Sequence, residues 1–230
     1  MTSGSRVASR RATGPLCLVA SLTLLLGACT PYAVATTARP LARGERSFTQ
    51  MLTIVPGGAR FAGDSSTVAV PGVDFEQRIG LDDRTDIGVR IPTMSGAIVT
   101  WKRRLDAPSA RAGRATALLL GGGIVNLGQH AHLEATLVTS GDEASTVVPY
   151  GGLRALQVIP ISSDAVSDSP TIGGFGGVRF GDRDGGVSLE LGVFYDRSAL
   201  KLWRGDLVIV PSVSLHGLSL LRSVGRGAGR

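Results

Sequence analysis

From Ser47 onward, apolar and polar residues alternate with a period of two. Val73, Phe75, Gln77 and Ile79 alternate with Asp74, Glu76 and Arg78, and Ile87, Val89 and Ile91 with Asp86, Gly88 and Arg90. Leu133, Ala135 and Leu137 face away from His132, Glu134 and Thr136. Val187, Leu189, Leu191, Val193 and Tyr195 alternate with Ser188, Glu190 and Gly192, and Phe194 is the one exception. Successive side chains of a strand point to opposite faces, so each stretch predicts a strand with one apolar and one polar face. No stretch sustains a 3.6-residue period, and glycines fall every few residues, which argues against helices. The pattern predicts ten strands, at 47–55, 73–80, 86–92, 95–105, 115–125, 131–140, 146–158, 170–180, 187–197 and 206–217. The fold class expected is all-β, an antiparallel up-and-down β-barrel of about ten strands.

The connections carry a second signal. Gly80-Leu81-Asp82-Asp83-Arg84-Thr85, Gly141-Asp142-Glu143 and Gly181-Asp182-Arg183-Asp184-Gly185-Gly186 are short Asp/Gly turns suited to hairpins. Longer connections at 56–72, 159–169 and 198–205 fall at the opposite parity, so an up-and-down chain places them together at the other end. This layout resembles outer-membrane β-barrels, which have even strand numbers, short periplasmic turns and longer external loops. The resemblance implies apolar residues outward and polar residues inward. Asp74, Glu76, Arg78, Asp86, Arg90, Lys102, Arg104, Glu134, Arg154, Arg179 and Glu190 then supply both signs for an internal salt-bridge network. A soluble antiparallel barrel has the reverse polarity, and alternation alone fits both. Aromatics make up 5% of residues, thin for two interfacial girdles, with Trp101, Tyr150, Tyr195 and Trp203 as candidates. Strand glycines relieve curvature and leave room for large neighbours such as Tyr150 or Phe175.

The first 46 residues break the pattern. Arg6, Arg10 and Arg11 precede an apolar run from Pro15 to Leu26, too short to span a bilayer and the right length for a signal-peptide core. Leu26-Gly27-Ala28-Cys29 follows and resembles the lipobox of bacterial lipoproteins. That resemblance implies cleavage before Cys29, lipid attachment at Cys29 and, with Thr30 rather than aspartate next, export to the outer membrane of a Gram-negative cell. Losing residues 1–28 removes three arginines and no acid, taking the formal net charge from +6 to +3, so the basicity gives no reason to expect nucleic acid. The only cysteines are Cys17 and Cys29, which leaves no disulfide in the mature chain. The expected division is a signal peptide at 1–28, a lipidated N-terminus and polar tether at 29–46, a barrel at 47–221 and a disordered basic tail at 222–230.

Candidate chemistry is sparse. Gly121-Gly122-Gly123 and Gly173-Gly174-Phe175-Gly176-Gly177 lack the Lys-Ser/Thr of a phosphate loop. His130, His132 and Glu134 share one strand face, which reads as polar lining rather than a zinc site. No G-x-S-x-G or HExxH set appears. Ten strands also predict a lumen filled by side chains rather than an open channel. The expectation is a lipid-anchored outer-membrane barrel with a non-enzymatic structural or surface-interaction role. It has membrane lipid as partner, no cofactor, no metal and no identifiable protein partner. The alternatives are a periplasm-facing lipoprotein whose soluble barrel binds a hydrophobic or envelope ligand, and a barrel enzyme acting on lipids.

Overall fold

The computed structural model describes residues 31–60, 67–93, 95–106, 113–162, 170–182, 185–195 and 207–217. Ten strands run in order: β1 Arg46–Arg60, β2 Thr67–Asp82, β3 Thr85–Pro92, β4 Ala97–Arg104 and β5 Ala115–Val125. They continue as β6 His130–Ser140, β7 Val147–Pro160, β8 Thr171–Phe180, β9 Val187–Tyr195 and β10 Leu207–His216. Each strand pairs with its sequence neighbours, and β1 closes on β10 from Thr49↔His216 to Thr53↔Ser212. The result is the expected all-β, closed, antiparallel up-and-down barrel. Closure removes both sheet edges, so no strand is left with a row of unpaired backbone groups.

The predicted strands all appear, but one predicted loop does not. Pro56-Gly57-Gly58 reads as a break in the sequence, yet β1 continues to Arg60 and β2 starts at Thr67. A register shift between Val55 and Ala59 absorbs the irregularity, as a β-bulge does, leaving only 61–66 outside the hairpin. One rim, here called near, carries the start of β1, the end of β10 and the connections 83–84, 105–114, 141–146 and 181–186. The far rim carries 61–66, 93–96, 126–129, 161–170 and 196–206. Both long connections expected at 159–169 and 198–205 are therefore on the far rim, with the short Asp/Gly turns opposite. The near rim has one long connection too, at 105–114, which strand parity alone does not forbid.

The faces of the barrel are inverted relative to a soluble protein. Leu189, Leu191 and Val193 stand outward, 38–51% exposed, while Glu190 between them is 6% exposed. Leu52, Ile54, Val73, Val89, Val99, Leu120, Leu133, Leu153, Ile172, Ile209 and Val213 extend this apolar outer face around the strands. Asp74, Glu76, Arg78, Asp86, Arg90, Lys102, Glu134, Arg154, Arg179 and Glu190 are all buried inside. Arg104 is the one member of the expected internal set at the rim, paired with Asp106 at 3.3 Å. The soluble barrel with an apolar interior is thereby overturned. Tyr150 also departs from expectation, turning into the lumen against Phe175 instead of outward. Phe48, stacked on Phe75 at 6.3 Å, and the exposed Phe180 contribute outer aromatics in its place.

The largest correction concerns residues 31–41. Read as part of a polar tether, they have no helix or strand, as expected, but they are not outside the barrel. Tyr32, Ala33, Val34, Ala35, Ala38 and Leu41 are almost completely buried, because the segment runs through the lumen. Its composition explains the misreading: Thr, Ala and Pro carry no period, and nothing local announces the burial. The expected signal peptide at 1–28 and Cys29, the candidate belt residue Trp203 and the expected tail at 222–230 lie outside the described residues.

Candidate functional site

The lumen wall offers two chemistries, and the segment 31–41 meets both. On β2, β3 and β4 the wall is charged. Arg78 donates through Nη1 to Glu76 Oε1 at 2.7 Å and Thr100 Oγ1 at 2.8 Å, and through Nε to Asp86 Oδ1 at 2.9 Å. The other oxygen of Asp86 takes Lys102 Nζ at 3.0 Å and the Leu41 N–H at 3.0 Å. Lys102 also donates to Thr36 Oγ1 and to the carbonyls of Thr37 and Arg39, at 3.1–3.3 Å. One lysine thus ties the wall to three residues of the threaded chain.

Further in, two arginines from opposite walls converge on one carbonyl. Arg90 donates to Ala33 O at 2.9 Å and Arg154 to the same oxygen at 2.7 Å. Arg154 also donates to Glu134 Oε2 at 2.6 Å, and His132 Nε2 lies 3.0 Å from that carboxylate oxygen. From β9, Glu190 accepts the Val34 N–H at 2.8 Å and the Ala35 N–H at 2.9 Å, one on each oxygen. Ala35 sits in the left-handed region at φ 49°. That geometry costs an alanine roughly 1–2 kcal/mol, and successive amides turned this way form an anion-binding nest. Irregular backbone away from water needs every polar group answered. Here side chains of the barrel answer the amides of Val34, Ala35, Ala38 and Leu41 and the carbonyls of Tyr32, Ala33, Thr37 and Arg39.

Between these polar groups the wall also carries apolar clusters. Val34 and Ala38 pack with Ala115, Ala117, Leu119, Val138, Tyr150 and Phe175 on β5 to β8. At the far end Tyr32 joins Val55, Leu156, Phe194, Val208 and Val210, its ring centroid 5.2 Å from that of Phe194. Two glycines make the fit possible. A Cβ on Gly80 would stand 1.9 Å from Ala42 O where the segment crosses the near rim, and one on Gly177 would stand 2.7 Å from the Tyr150 ring. Gly177 thus clears space for Tyr150, as the strand glycines were expected to do.

The charges balance inside. Among the described residues, five acids (Asp74, Glu76, Asp86, Glu134, Glu190) and five bases (Arg78, Arg90, Lys102, Arg154, Arg179) are buried. Unpaired, any of them would cost several kcal/mol in so dry a place. Between segment and wall, towards the near rim, a cavity of about 40 Å³ remains, lined by Ala35, Thr36, Arg39, Arg78, Lys102 and Ser188 among others. That is room for about three waters.

The residues that the sequence offers for chemistry resolve into this lining. His130 and His132 point inward from β6 as their shared face requires, and Glu134 on the same face is engaged by Arg154. No group of three metal-ligand side chains forms among the described residues. Sequence reasoning missed His216, whose Nε2 lies 2.7 Å from Ser188 Oγ and whose Nδ1 lies 3.2 Å from Thr49 Oγ1. Ser188 and His216 meet across the paired strands β9 and β10, and Thr49 joins them only where β1 closes on β10, so no local motif marks the three. A serine beside a histidine is the pair hydrolases use. Here the third member is a hydroxyl instead of an acid, and the serine is buried in the lumen, away from the apolar outer face.

No family model and no curated protein matches the sequence. Among solved structures, the chain is similar to the outer membrane protein OprG from Pseudomonas aeruginosa, at 11% identity and a TM-score of 0.32, covering 77% of this chain and 95% of that one. It is also similar to Ail, the attachment invasion locus protein of Yersinia pestis, at 10% identity and a TM-score of 0.22, covering 76% and 96%. Neither likeness bears on what this chain does.

Proposed function

We propose that this chain is an outer-membrane barrel, lipid-anchored at Cys29, with a non-enzymatic structural or surface-interaction role in a Gram-negative envelope. The observation that carries the reading is the inverted polarity of the barrel. An apolar outer face around all ten strands is stable only against lipid, and a charged, charge-balanced interior is what such a barrel must hide. The occupied lumen leaves no aqueous path of the kind a general porin has, which favours a structural role or one played by the far-rim loops. The lipobox-like Leu26-Gly27-Ala28-Cys29 supports the anchor.

Expression in a Gram-negative host tests both parts. The barrel reading expects the protein in the outer-membrane fraction, resistant to carbonate or urea extraction, with a heat-modifiable band on gels. Release as a soluble periplasmic protein overturns it. The anchor reading expects labelling by an alkyne palmitate analogue that Cys29→Ser abolishes, and label persisting in Cys29→Ser overturns it.

A further inference from the structure

The threaded segment has a direction, and direction fixes where its amino terminus emerges. Residue by residue, the chain runs inward from the near rim. Arg43 bridges Gly80 beside the β2–β3 turn, and Leu41 bonds Asp86, the second residue of β3. Ala38 bonds Ser140, the last residue of β6 at the near rim. Val34 and Ala35 reach Glu190, the fourth residue of β9, and Ala33 reaches Arg90 and Arg154 near mid-strand. Tyr32 then packs on Phe194 and Val208, each one residue from the far end of its strand. Read backwards from β1, residues 41 to 32 therefore cross the whole lumen from near rim to far.

Chain reach turns this path into a statement about Cys29. From Phe194 back to Val187 is seven residues of β9, roughly 23 Å along the strand and about 18 Å of height at a 40° tilt. Cys29 stands three residues before Tyr32, and three residues extend no more than about 11 Å. A chain that has reached the level of Phe194 at Tyr32 cannot return to the near rim by Cys29. Doubling back is also blocked sterically, because the lumen is already filled by the segment itself.

We infer that the barrel is threaded by its own N-terminal segment so that lipid attached at Cys29 lies in the leaflet at the far rim, the outer leaflet of the outer membrane. This rests on the membrane-barrel and anchor readings above, and adds the side to which the anchor is delivered. The far rim is assigned outward because it carries the connections 161–170 and 196–206, while the near rim carries both ends of the barrel and the tight Asp/Gly turns. An ordinary tether would leave the acyl chains in the inner leaflet, next to the near rim. Here the segment is held by Asp86, Arg90, Lys102, Ser140, Arg154 and Glu190, side chains of five different strands, so the path belongs to the folded barrel.

The test uses the full-length protein in intact cells. Cys17 leaves with the signal peptide and Cys29 is acylated, so Thr30→Cys introduces the one free thiol of the mature chain. Leu127→Cys in the exposed far-rim turn and Ser145→Cys in the exposed near-rim turn are the references. A membrane-impermeant maleimide is expected to label Thr30→Cys to the extent of Leu127→Cys and several-fold more than Ser145→Cys. Labelling of Thr30→Cys only after the outer membrane is opened, with Leu127→Cys labelled before, overturns the threading. Labelling of Ser145→Cys in intact cells, with both others shielded, overturns the outer-leaflet assignment. Palmitate-analogue labelling of the same samples separates the anchor reading: its absence, with the unsubstituted protein labelled by the maleimide in intact cells at its then free Cys29, removes the anchor and leaves the threaded path standing.

Discussion

The outer face of the barrel and its lumen are made by the same strands, yet they differ in kind. Outside, residues such as Leu52, Val89, Leu133 and Leu191 form a largely apolar surface with no special direction, interrupted by Gln77 and Arg103. Inside, β2 to β4 present mostly charges, while β5 to β8 set Ala117, Leu119, Val138 and Phe175 beside Glu134, Arg154 and Arg179. Lipid is an isotropic solvent and asks only for hydrophobicity, so many outer substitutions among apolar residues satisfy it equally. A peptide has amides, carbonyls and side chains at fixed intervals. The lumen meets that one occupant with directed bonds at Tyr32, Ala33, Val34, Ala35, Ala38 and Leu41, and the two faces should therefore respond differently to mutation.

The largest effect is expected where the lumen joins wall to segment. Arg154→Met removes the guanidinium that Glu134 is paired with, leaving that buried carboxylate only His132, and strips the Ala33 carbonyl of one of its two donors, a loss of about 3–5 kcal/mol. Urea unfolding of the refolded barrel in micelles measures it, and adding Glu134→Gln should recover part of the loss. An unchanged midpoint in Arg154→Met would mean the network is not structural. Next comes the outer face: Leu191→Arg, at the middle of β9, should cost about 2–4 kcal/mol in a bilayer, and Leu207→Arg, at the far end of β10, about 0–1 kcal/mol. Equal costs at the two depths would break the picture of a lipid-facing surface.

Glu190→Gln tests the segment apart from the barrel. Removing the charge that takes both the Val34 and Ala35 amides should loosen the segment by about 1.5–3 kcal/mol. Amide exchange at 33–41 should then accelerate while the strands keep their protection, and conductance steps should appear in planar bilayers. Uniform acceleration across the strands would show that segment and barrel fold as one unit. The smallest effect is expected at the rim. Arg104→Ala breaks the pair with Asp106 in the wet margin, where less than about 1 kcal/mol is at stake. A cost as large as that of Arg154→Met would erase the distinction between lumen and rim.

The alternation along the chain by itself determined the strand count, their approximate bounds and which residues share a face. That information is local, because Cβ atoms alternate across a strand whatever the strand later packs against. It put Glu190 opposite Leu189 and Leu191, and it grouped the ionisable residues that later form the internal network. Which face would be inside was beyond it, since alternation is symmetric under turning the barrel inside out. Only closure of the sheet decided that. Closure also brought Thr49 of β1 to the Ser188–His216 pair of β9 and β10. The path of residues 31–41 was the least legible feature, because every contact that holds it is remote: Val34 meets Glu190 across 156 positions and Ala33 meets Arg154 across 121. A short stretch of Ala, Thr and Pro looks like a tether until a lumen of complementary charge and size exists to receive it, and that lumen is a property of ten strands at once.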